Sequence, residues 1–162
     1  MSVIAIAIPT MKARFLGGLE LSLLVFTNNE LLFLRRVKRI GGGLGEFLSP
    51  LSTPLKLIAF GLREVKKFMK SIDSLKGTKI DVEEVVKHTK ESYIIPYSNV
   101  KRIKISKDRK IDIHIETIEG KKYKYTVALG LYKDIKRPRD EVYRDIINSL
   151  QPIPKLRGKI ET

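Results

Sequence analysis

Histidine, carboxylate and hydroxyl groups are the side chains with which this chain could do chemistry, because it holds no cysteine. Thiol nucleophiles, zinc–thiolate sites, iron–sulfur clusters and disulfides are thereby excluded. Only two histidines are present. His88 sits among Lys87 and Lys90, and His114 lies between Ile113 and Ile115, so the chain offers no histidine pair at metal-ligand spacing. Asp112, His114 and Glu116 are spaced by two and share one face of a strand, where a solvated ion-pair network accounts for them. Ser98 and Ser106 have no base nearby in sequence, and no Gly-x-Ser-x-Gly turn occurs. The carboxylate pairs Glu83–Glu84 and Asp140–Glu141 fall at helix starts, where the helix dipole already explains them. "GGGLGEF" lacks the Gly-Lys-Ser/Thr of a phosphate-binding loop, since Glu46 and Phe47 follow the glycines. No catalytic constellation, cofactor or metal site is expected.

The basic residues carry the strongest signal. Lys and Arg number 32 against 18 Asp and Glu, a formal net charge of +14. That excess favours anionic partners without choosing among them. It is concentrated in residues 101–162, with seventeen Lys/Arg against nine Asp/Glu. Lys101, Arg102 and Lys104 run into Lys107, Arg109 and Lys110. Lys121, Lys122 and Lys124 follow on the next hairpin, and Lys133, Lys136, Arg137 and Arg139 precede the last helix. Lys101, Arg102, Lys104, Lys122 and Lys124 are the predicted contact surface, with Lys12 and Arg14 as a second patch. The competing reading is the solvated surface of a lysine-rich protein. The partner classes that fit are an anionic lipid surface or a protein, with nucleic acid as the alternative. Against nucleic acid, Tyr123 and Tyr125 alternate toward the core side, so no exposed stacking platform is evident.

These residues need elements to hold them. "VIAIAI" (3–8) is apolar at every position and reads as a strand covered on both faces and closed by Pro9 and Thr10. Residues 19–27 and 31–39 read as a hairpin around "NNE". The glycine- and proline-rich stretch 40–54 reads as a connector. Leu55, Ile58, Leu62, Val65, Met69 and Ile72 form one helical stripe, with lysines on the other faces. Such a basic helix could lie on acidic lipid or pack on the sheet. Asp81 and Glu84 open a short second helix running to about residue 90. From residue 92 the period becomes two: strands over 93–96, 100–106, 111–116 and 122–129, turned at "KDRK" and "EGKK". A last helix spans about 138–150, and "QPIPKLRGKIET" reads as a mostly polar tail.

The strand–turn–strand "LLVFTNNELLFLRR", the proline corner "IIPYSNVKRIKIS", and "GKKYKYTVALG" followed by "PRDEVYRDIINSL" resemble the bacterial and archaeal pleckstrin-homology-like and GRAM-like domains. The resemblance covers most of residues 19–150 apart from roughly 41–90. It implies a mainly β fold: a seven-stranded, strongly bent antiparallel sheet, or partly open barrel, capped by a C-terminal helix. It also implies binding of lipid, protein or peptide and no catalysis. Lys12 and Arg14 resemble the basic first loop through which some relatives hold phosphoinositides. The expected organisation is one domain over 1–150, with a helical insertion at about 41–90 and a tail at 151–162. The short apolar run of "MSVIAIAIPTMK" has no basic residue ahead of it, so it does not read as a signal peptide. No uncharged run approaches the roughly 18 residues of a membrane span. A cytoplasmic, membrane-peripheral protein is expected. The absence of Cys and Trp, with abundant Ile, Lys and Glu, leans toward a heat-adapted source.

Overall fold

The computed structural model describes residues 1–13, 19–37, 62–87 and 89–162. His88, Arg14, the connector at 40–54 and the first turns of the 55–72 helix lie outside them. The chain forms strands β1 (Ser2–Ala13), β2 (Leu19–Thr27), β3 (Glu30–Leu34) and β4 (Arg36–Val37), then helix α1 (Leu62–Ser74). Strand β5 (Lys79–Ile80), helix α2 (Val82–Lys87) and strand β6 (Thr89–Lys90) follow. Strands β7 (Tyr93–Pro96), β8 (Val100–Lys107), β9 (Ile111–Thr117) and β10 (Lys122–Val127) come next, then helices α3 (Leu129–Asp134) and α4 (Arg139–Leu150), and last strand β11 (Ile160–Glu161). The fold is β-rich: one large sheet in the order β11-β8-β9-β10-β1-β2-β3-β7, with β5 paired to β1, and a separate β4–β6 pair.

β1 is longer than its sequence suggests, running straight through Pro9 and Thr10. In a strand the N and C=O of one residue point to the same side. The Pro9 carbonyl accepts the Ala128 N–H at 2.9 Å, just beyond the last β1–β10 register pair, Thr10 with Val127. The missing proline donor therefore faces the end of β10's ladder, and pairing with β2 is untouched.

The two halves of the sheet are buried differently. In β2 and β3 both alternating sets are buried, Leu24, Phe26 and Leu31 on one face and Leu23, Val25, Leu32 and Leu34 on the other. β8 to β10 bury one face only: Ile103, Ile105, Ile111, Ile113, Ile115, Tyr125 and Val127 point inward. The helices supply the second cover. α1 sinks Val65, Phe68, Met69 and Ile72 into the core and packs on β1 and α3, leaving Lys66, Lys67 and Lys70 exposed. Its apolar stripe is thus spent on the sheet. α4 packs on β1 with Val142, Ile146 and Leu150. Asp81 caps α2, its carboxylate accepting the Glu84 N–H at 3.2 Å.

The proline corner is an anchor. Tyr97 is fully buried in a one-turn 3₁₀ helix (Tyr97–Asn99), and its hydroxyl donates to the Thr27 carbonyl at 2.7 Å. Burial pushes that phenol far above its ordinary pKa, with the nearby Glu30 charge adding to it. Thr27 in turn accepts the Glu30 N–H at 3.0 Å, so the β2–β3 turn and the corner are tied together.

Other sequence expectations fail as well. The second helix, expected to run to about residue 90, ends at Lys87, and the strand expected over 31–39 ends at Leu34; Arg36–Val37 pairs instead with Thr89–Lys90. Leu129 starts α3 instead of ending β10. The segment 151–162, read as a polar tail, is packed: Ile153 and Leu156 are buried, and Ile160 pairs in parallel with Ile103 on β8. The Lys159 ammonium donates to the Tyr97 carbonyl at 2.7 Å and Lys155 to Asn29 at 2.8 Å. Two apolar side chains at spacing three outweigh the polar count around them. Leu156→Ala should therefore cost about 3 kcal/mol in urea denaturation, as a core truncation does. A loss below about 0.5 kcal/mol would mean that the segment is a surface appendage.

Candidate functional site

A strand packed on one face presents every other residue to the opposite side. On β8–β10 that outer side carries the predicted cations, and the register turns them into a grid. Arg102 lies opposite Glu116, which lies opposite Lys122. Lys104 lies opposite His114, and His114 opposite Lys124. Ser106, Asp112 and Thr126 form the third row. Three strands at about 4.8 Å spacing make this face about 10 Å wide. A β-bulge between Val100 and Arg102 inserts Lys101 as an extra residue, so both Lys101 and Arg102 are exposed beside each other.

The acidic residues of β9 run down the middle of this face. Glu116 takes Arg102 Nε at 2.6 Å and Lys101 Nζ at 3.5 Å. Asp112 accepts the Thr126 hydroxyl at 2.7 Å and lies 3.5 Å from Lys124 Nζ. Lys104 and Lys122 make no ion pair among the described residues. Five cations thus stand over two carboxylates, with His114 at the centre. A shallow groove of about 350 Å³ runs between Lys104, His114, Lys122 and Lys124. Among the described residues no group of three His, Asp or Glu could hold a metal ion. Asp112 and Glu116 turn toward cations on either side.

Sequence adjacency misassigned other cations. Lys107 leaves this group: its ammonium lies 3.1 Å from Asp140 of α4 and 5.1 Å from the centre of the Tyr143 ring. Arg137 pairs with Asp73 at 3.3 Å, joining α4's approach to α1. Lys12, by contrast, comes closer to the main patch than expected. It sits exposed near the end of β1 on the rim of a cavity that Lys124 also lines. Of the second patch, Arg14 is outside the described residues.

Behind the grid, Phe33, Tyr93, Tyr123 and Tyr125 form a ring cluster with centroids 5.1–6.3 Å apart. Tyr125 is buried, whereas half-buried Tyr123 also lines the groove and has Lys121 Nζ 5.3 Å from its ring centre. Among the described residues the large exposed apolar side chains are Met1 and Ile118, the latter 64% exposed in the β9–β10 turn that leads to Lys121 and Lys122. Sequence reading missed Ile118 because a single isoleucine in a turn resembles the end of its strand. No helix of the described residues is long and apolar enough to cross a membrane. Comparison with protein-family models, with curated proteins and with solved structures finds no match to this chain.

Desolvation opposes the charge on Glu116, but the hydrogen bond and charge of Arg102, joined by Lys101, outweigh it. The carboxyl is held below the usual glutamate range. A depressed folded-state pKa stabilises the fold above the unfolded value, about 4.3, and that contribution disappears as pH falls through the folded value. Glu116→Gln should thus lower the urea midpoint at neutral pH, with the deficit against wild type shrinking on acidification. A deficit constant with pH would show that Glu116 acts through packing alone.

Proposed function

We propose that this protein is a non-enzymatic, pleckstrin-homology-like interaction module that docks on an anionic membrane surface through the outer face of β8–β10. The fold assignment is supported by strand order. β7-β3-β2-β1 and β10-β9-β8 are two antiparallel meanders joined through β1, seven strands in all, with helices after the last of them. A strong bend is supported by the tyrosines. β7 and β10 are four strands apart, about 19 Å in a flat sheet, whereas the Tyr93 and Tyr125 hydroxyls lie 2.5 Å apart.

The observation that carries the functional reading is the five-cation grid on the outer side of β8–β10, which alternation turns away from the core. A planar array of ammonium and guanidinium groups suits a planar array of phosphates, each cation near the surface contributing about 1 kcal/mol. Ile118, exposed in the turn that leads to Lys121 and Lys122, supplies an apolar contact for the headgroup–acyl boundary. Buried Tyr125 and half-buried Tyr123 favour a bilayer over single-stranded nucleic acid, which needs exposed rings for stacking.

Co-sedimentation with phosphatidylserine-containing and pure phosphatidylcholine vesicles tests this. Recovery should require the acidic lipid and fall with salt. Lys104→Ala and Lys122→Ala should each weaken it about fivefold, and Glu116→Gln, which frees Arg102 and Lys101, should strengthen it. Equal recovery on both vesicles, or binding untouched by charge reversal at Lys101, Arg102, Lys104, Lys122 and Lys124, would overturn the reading. Retention of RNA or DNA on filters at a salt concentration where vesicles release the protein would transfer the face to nucleic acid.

A further inference from the structure

β1 and β10 pair at only two positions, Thr10 with Val127 and Met11 with Thr126. Beyond them the strands part, although β10 keeps its pairing with β9 as far as Lys122. A cavity of about 540 Å³ opens at that fork, within the range of small-molecule sites. Its walls are the rings of Phe33, Tyr93 and Tyr125, with Met11 at the fork itself. Deep in it stand two hydroxyls, Thr10 and Ser22, directly opposite each other across β1 and β2.

Thr10 and Ser22 are 3% and 5% exposed, and neither side chain has a hydrogen-bond partner among the described residues. Hydroxyls set into a cavity of this size bond whatever fills it, and a ligand group that replaces their water hydrogen bonds is favoured there. Both line the cavity. At the mouth the charge is mixed. Lys12 is exposed on one side and Lys124 on the other, and Arg35 pairs with Glu91 between them. Lys124 also lies 3.5 Å from Asp112, on the outer side of β10.

We infer that this cavity binds a small aromatic carboxylic acid bearing a polar group at its far end. The ring would lie against the packed rings of Phe33, Tyr93 and Tyr125 that wall the cavity, where apolar surface faces apolar surface. The far polar group would take up the Thr10 and Ser22 hydroxyls, and the carboxylate would meet Lys12 and Lys124 at the mouth. The site shares Lys124 with the basic outer face, which uses none of Thr10, Ser22 or Phe33.

The chain has three methionines, and they report on the site separately: Met11 lines the cavity, Met69 is in the core and Met1 is exposed. The experiment is a titration of methyl-labelled methionine protein with para-hydroxycinnamate, cinnamate and para-vinylphenol, followed by NMR. The Met11 methyl resonance should move with para-hydroxycinnamate while Met69 and Met1 stay fixed. Cinnamate, without the hydroxyl, should bind about tenfold more weakly, and the Thr10→Val/Ser22→Ala variant should bind both acids equally at that weaker level. para-Vinylphenol, without the carboxylate, should be insensitive to Lys12→Gln and Lys124→Gln, whereas those changes should weaken para-hydroxycinnamate. The hydroxyl variant should keep or raise its melting temperature, because it removes two unpartnered buried polar groups. Three results would each overturn the proposal. One is a Met11 resonance that saturating para-hydroxycinnamate leaves in place. Another is undiminished affinity in the hydroxyl variant. The third is a variant that melts earlier, which would make the hydroxyls part of the fold.

Discussion

Burial of both faces of β1, β2 and β3 is the constraint from which the rest of the architecture follows. A strand reading Val3-Ile4-Ala5-Ile6-Ala7-Ile8 offers no side to water, so a single sheet layer cannot satisfy it. On one face Phe33 of β3 packs on Tyr125 of β10, and the other is covered by α1 and α4. α1 belongs to the long segment between β3 and β7, which therefore supplies part of the core: its removal would leave β1 half-covered. α4 and the chain that follows complete the same cover. β8, β9 and β10 have no such demand: β9 and β10, and β8 from Ile103 on, alternate between buried inward and polar outward residues.

That asymmetry separates stability from surface chemistry. The cations of the outer grid contribute little to packing, so the fold does not dictate their identities. β9 orders the face. Its two carboxylates sit between basic strands and hold neighbouring guanidinium and ammonium groups in place. The face is consequently ordered as well as positive, with Lys104 and Lys122 left without ion pairs among the described residues. Ordered cations lose less side-chain freedom when they meet an anion.

Much of this was legible in the sequence wherever one physical rule acted alone. The Ile111, Ile113, Ile115 alternation gave β9 its face, and the Asp81/Glu84 spacing located the start of α2. The five cations of the grid were found because alternation is local. Reading failed where two rules competed. Pro9 counted as a terminator, although proline is excluded from a strand only where its N–H is needed. The gap of three between Val100 and Ile103 carried the signal of the bulge, but strict alternation was expected there. Ile153 and Leu156 were outvoted by the polar residues around them. The company of Lys12 and Lys124, and the facing of Thr10 and Ser22 in a cavity, depend on pairings between distant segments that no local pattern encodes.

The pairing of Thr10 with Val127 sets how the chain must assemble. β2 and β3 meet through a two-residue turn, and β1 can join them early, whereas its other edge waits for a strand more than a hundred positions away. Long-range pairings of this kind slow folding, because the loop must close before the contacts reward it. Throughout that wait an unpaired edge bearing six consecutive apolar residues would recruit the same edge of another chain. Pro9, which cannot donate to an added strand, and Lys12, which repels its own copy, stand on the waiting strand. The proline that looked like a stop signal is placed to keep β1 solitary until β10 arrives.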